Sequence, residues 1–212
     1  MAEPRADGAF KSEIENRLAT LLAERGYKQL AKRDLVFHLD IQSADGIRGW
    51  LGLPMAIVRR AYVDTTPAIG VHNPKVEHVL ADLKAERYDR KTATLTEPLA
   101  YLVPDRRGYP MWTFSDLPEL DQALDKLVDA IDTQGRRFME SLNERRALAS
   151  ALRGDLRNRM VFRLPATLLV LGHRRRAIWL ARYFKVRYAR GSDPFAVEYA
   201  AFLRRLVAYD GV

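Results

Sequence analysis

Apolar residues recur at steps of three and four from Phe10 through Ile14 and Leu18 to Leu21 or Leu22, with Gly26 just behind them. This spacing predicts an amphipathic helix closed by a left-handed residue. The period then falls to two. Leu35, Phe37, Leu39 and Ile41 alternate with Val36, His38, Asp40 and Gln42, which predicts a strand with one buried face, and Asp45 and Gly46 follow as a turn signal. Further strands are expected over Ala56 to Val63, Ala68 to His72, Thr92 to Val103 and Met111 to Phe114. Pro74 opens a helix whose stripe is Val76, Val79, Leu80 and Leu83. The Asp105 to Gly108 stretch reads as a turn, and the segment from Gly49 to Pro54 as a hairpin bend around Trp50 and Leu51.

From Ser115 onward the two-residue period disappears. The rest reads as helical, with breaks near Gly135, Gly154, Gly172 and Gly191. Strands followed by helices predict an α+β fold: an N-terminal antiparallel sheet with flanking helices over 1–114, then an all-helical half over 115–212. The two halves are either separate regions or one continuous domain. In the first helix of the second half Leu120, Leu124, Leu127, Val128 and Ile131 share a face, and Asp121, Asp125, Asp129 and Asp132 run beside it as one carboxylate stripe. Near the end, Ser192, Asp193 and Pro194 start a last helix that buries Phe195, Tyr199, Phe202, Leu203 and Leu206, so a helical hairpin is expected. The spacing of Gly172, Ala177 and Ala181 resembles the turn between the two helices of a tetratricopeptide repeat. The likeness covers about 25 residues of one unit and has no second copy upstream, so it is read as shared helix-pair physics.

Charge changes this picture. No acidic residue lies between Asp155 and Asp193, whereas ten of the 35 basic residues do, and the remainder of the chain is close to neutral. The net +8 is therefore a local patch, which speaks to anionic partners and not to the fold. The basic residues are mostly Arg, as a GC-rich bacterial-type genome favours. If 173–190 is helical, Ala177, Leu180, Ala181, Phe184 and Tyr188 share a core face. The opposite arc gathers Arg174, Arg175, Arg176, Arg182, Lys185, Arg187 and Arg190, with Trp179 and Tyr183 among them. Guanidinium forks bind carboxylate and phosphate, and exposed aromatics anchor protein interfaces or stack on bases. The competing reading is internal neutralisation of this arc by the Asp121 to Asp132 stripe.

Catalytic signals are sparse. His38 and Asp40 share a strand face, and His72 and His78 flank Glu77 without zincin spacing. Gly46, Gly49 and Gly52 lack the strand-to-helix context of a phosphate loop, and Asp40, Asp64, Glu77 and Glu97 are scattered. The absence of Cys excludes thiolate chemistry and disulfides, and with no apolar leader after Met1 it points to the cytoplasm. The longest apolar run, Leu164 to Leu171, is too short to span a bilayer. No cofactor, metal or catalytic residue is assigned. The expected function is non-catalytic binding of an acidic protein partner through the basic helix. The alternatives are a nucleic-acid-binding accessory protein using the same helix, and an enzyme whose site assembles around His38, Asp40 or His72.

Overall fold

The computed structural model describes residues 8–31, 34–58, 62–104, 111–115, 119–154, 160–188 and 191–210. Its architecture is α+β, with antiparallel strand pairs and helices in the N-terminal half and helices alone in the C-terminal half. Two compact units are present: Met1–Gln42, Arg48–Val71 and Thr96–Ser141 form the first, and Ser43–Ile47, His72–Leu95 and Leu142–Val212 form the second.

In the first unit, α1 (Gly8–Glu24) buries Phe10, Ile14, Leu18 and Leu22, the stripe its periodicity demands. Gly26 ends it with φ +87, a conformation that costs a residue with a Cβ far more. Strands β1 (Tyr27–Ala31), β2 (Asp34–Leu39) and β3 (Arg48–Gly52) pair antiparallel, with His38 opposite both Lys28 and Trp50. The five-stranded sheet continues through β6 (Ala68–His72) to β7 (Leu95–Pro98), while β4 (Met55–Val58), β5 (Tyr62–Thr65) and β8 (Trp112–Ser115) form a separate antiparallel sheet in the order β4-β5-β8.

Several expectations need correction here. The Gly49 to Pro54 bend is largely strand β3, where Leu51 is fully buried. A Cβ on Gly49 would lie 2.5 Å from the Met139 sulfur, so this glycine permits the close approach of the helix behind it. The strand expected through Val103 stops at Pro98, which has no N–H for the ladder. The chain turns into α3 (Leu99–Leu102), and the Leu99 amide bonds the Pro67 carbonyl at 2.8 Å. No break occurs at Gly135: α4 (Leu120–Ala130) passes through a π turn, Ile131–Gly135, into α5 (Arg136–Ser141). Gly135 is buried, and its missing Cβ leaves room for Ile69. The expected turn at Asp105 to Gly108 lies outside the described residues.

The second unit is helical. Asn73 caps α2 (Pro74–Lys84) by accepting from the Val76 amide, and Pro74 occupies the first turn, where no amide partner is needed. Helices α6 (Arg145–Gly154), α7 (Met160–Val170), α8 (Arg174–Tyr188) and α9 (Pro194–Ala208) follow. The central helix is α7, packed by α2, α6 and α8, and it is buried on nearly every side. Gly172, at φ +76, closes α7 with the paired bonds Gly172 N to Leu169 O and His173 N to Leu168 O, and the chain reverses directly into α8. Asp193 caps α9 by accepting from the Ala196 amide at 2.7 Å.

Candidate functional site

The buried side of α8 is Ala177, Ala181 and Phe184. It packs against both α7 and α9. Leu180 and Tyr188 are further corrections: both are half-buried and not part of that core.

The outward side carries Trp179 at 67% exposure, Tyr183 at 49% and Val186 at 62%. Residues spaced i, i+4 and i+7 lie along one line of a helix, so these three form an apolar ridge. The Trp179 and Tyr183 rings are parallel within 9°, with centroids 6.0 Å apart. At about 100° per residue, Arg175 and Arg182 fall along one flank of the ridge, and Arg176 and Arg187 along the other. All four are exposed, as is Lys185 beyond the first flank. Among the described residues, none of these five cations has a carboxylate partner. Arg174 differs: its guanidinium donates to the Val207 carbonyl at 2.6 Å and reaches Asp210 at 3.4 Å, so it ties α8 to the end of α9. Arg190 lies outside the described residues.

The acidic stripe does not neutralise this ridge. Asp121 pairs with Arg17, Asp129 with Arg25, and Asp132 with Arg25 and Arg136, all inside the first unit. Arg17 of α1, Arg25 just beyond it and Arg136 thus take up three of the four carboxylates, and among the described residues no ion pair joins them to α8.

Beside the ridge lies an apolar pocket of about 180 Å³. Its floor is Leu152, Met160, Val161, Leu164 and Phe184, all buried. Leu180, Tyr183 and Tyr188 of α8 and Arg153 of α6 complete the wall. Tyr183 thus belongs to both ridge and pocket. The sequence reading missed Val186 and the pocket. Val186 was recoverable from its spacing to Trp179 and Tyr183, whereas the pocket depends on how α6, α7 and α8 meet.

The candidate catalytic residues occupy different surroundings. His38 is buried and Asp40 is exposed, so the shared wet face expected for them is absent. Asp40 bonds Lys28 at 2.6 Å, and this hydrogen bond holds its carboxyl below the usual range. His72 is buried with Nδ1 2.7 Å from the Thr92 carbonyl and Nε2 2.9 Å from the Tyr88 hydroxyl. A carbonyl only accepts, so Nδ1 donates, and neutral imidazole then accepts from Tyr88 through Nε2. The exposed His78 ring stacks on Tyr88 at 3.7 Å. Both histidines therefore position the α2 surroundings through one tyrosine. A larger cleft, about 540 Å³, runs between α2, α7 and α9. Its principal charges are matched internally: Arg163 grips Glu77, and Lys84 bridges Glu86 and Glu198 while lying over the Phe162 ring. Burial opposes the Lys84 charge, yet the two carboxylates outweigh it and raise the ammonium pKa.

Among the described residues no helix is long and apolar enough to cross a membrane, and no three His, Asp or Glu side chains gather as metal ligands. Comparison with protein-family models, with curated proteins and with solved structures finds no match.

Proposed function

We propose that the protein is a binding module whose α8 face docks an acidic protein partner. The observation that carries this reading is the Trp179, Tyr183 and Val186 ridge, exposed between two pairs of arginines. An apolar helix line with anchors at i, i+4 and i+7 suits a partner's apolar groove, and aromatic residues next to arginine dominate such interfaces. Cations on both flanks with no carboxylate partner among the described residues favour a groove with acidic rims and accelerate encounter at low salt. An exposed Val186 adds to the protein reading, because an aliphatic side chain offers a nucleic acid neither stacking nor a phosphate contact.

Titration monitored by tryptophan fluorescence tests this reading. The probes are an acidic amphipathic peptide, poly-glutamate, a single-stranded oligonucleotide and a duplex, each at low salt and again at high salt. The reading expects the amphipathic peptide to bind most tightly, with a spectral change that disappears in Trp179→Phe. Tighter binding of either oligonucleotide, at about micromolar concentration or below, would instead support nucleic-acid recognition.

A further inference from the structure

We infer that the pocket beside the ridge receives one large apolar side chain, of Phe or Leu size, from the acidic partner. The inference rests on the docking reading above and specifies the partner's chemistry.

Every floor side chain of the pocket is apolar, and the described polar group at its edge that carries charge is Arg153. A phosphate or a carboxylate would gain nothing from such a floor and would lose its hydration. An aromatic or branched aliphatic side chain would instead leave water and touch Leu152, Met160, Val161, Leu164 and Phe184 together. The pocket's 180 Å³ suits a single residue, not a cofactor-sized ligand. Leu180 is the one aliphatic wall residue left half-exposed, which marks it as the contact available to an incoming group.

Charge fixes the company this side chain keeps. Arg176 and Arg187 flank the ridge on the side where Leu180 and Phe184 lie, and Arg153 faces the same pocket from α6. The segment from residue 156 to 192 contains no carboxylate to oppose an acidic chain. The partner segment that fits is therefore one large apolar residue set among Asp and Glu. Tyr183 joins the two contacts: it lines the pocket, and it stands on the ridge that enters the partner. The interface is reciprocal, with a ridge offered and a knob received, as in well-packed protein contacts.

The test uses the full chain and two acidic peptides that differ only in a central Phe or Ala, with affinity read by fluorescence anisotropy. The Phe peptide should bind the natural protein at least about tenfold more tightly, the scale of burying one aromatic side chain. Leu180→Trp, which fills the pocket from its wall, should abolish that difference and leave poly-glutamate binding intact. Equal affinity for the Phe and Ala peptides overturns the pocket assignment without requiring any variant to fold. If both peptides bind equally and Trp179→Ala weakens both, the docking surface stands and only the pocket is excluded. If neither peptide binds, the docking reading itself fails.

Discussion

The Tyr199 hydroxyl donates to the Val161 carbonyl at 3.1 Å, and that carbonyl is the one Pro165 cannot serve. In an uninterrupted helix the amide four residues on would bond it, but proline has no N–H. Tyr199 thus repairs from α9 a defect inside α7. Tyr199→Phe should lower stability by about 1–3 kcal/mol, the usual cost of orphaning a buried polar group. Pro165→Ala should reduce that loss, so a double-mutant cycle in urea should show coupling.

The same phenol gives an alkaline pH dependence. Burial raises the Tyr199 pKa, and burial is also the leading cause of the rise at Tyr27. In the unfolded chain tyrosine ionises near about pH 10. Stability from the two neutral phenols is therefore complete below that pH and is lost as pH rises toward the elevated folded values. Thermal unfolding followed from pH 9 to 12 should fall steeply, and Tyr27→Phe with Tyr199→Phe should flatten the fall.

Glu77 and Arg163 form a two-pronged pair at 3.1 and 3.4 Å between α2 and α7, with both side chains largely buried. Removing one partner leaves the other charged and enclosed. Glu77→Ala should cost about 3–5 kcal/mol in denaturant unfolding, and replacing both residues by apolar ones should cost much less.

Several helices in both halves were legible because each carries a local signature. The Phe10 to Leu22 stripe, the Gly172 stop and the Asp193 cap are short-range facts, and the fold kept all three. His38 was not legible. Its alternation with Phe37 and Leu39 predicts a wet face, but β2 lies between β1 and β3, with Lys28 and Trp50 in register beside His38, and Phe37, His38 and Leu39 are all buried. The acidic stripe was recognised from its spacing, while its partners Arg17 and Arg25 lie more than a hundred residues away in sequence and left no periodic trace. On α8 the division into buried and exposed sides was readable except at Leu180 and Tyr188, whose positions depend on a neighbouring pocket formed with α6 and α7.

The two sides of α8 predict opposite mutant behaviour. Phe184→Ala empties a buried aromatic site and should lower stability by about 3–5 kcal/mol. Trp179→Ala removes a ring that is mostly in water, so the denaturation midpoint should scarcely move while peptide binding weakens. Parallel urea curves and peptide titrations of the two variants separate these effects.

Hydrogen–deuterium exchange of the full chain, with and without the acidic amphipathic peptide, tests the docking face most directly. Added protection should concentrate in 174–188, extend to the pocket floor around Leu152 and Leu164, and disappear in Trp179→Ala. Protection centred instead on the cleft of Lys84, Arg163 and Glu198, with α8 unchanged, would contradict the assignment of α8 as the binding face.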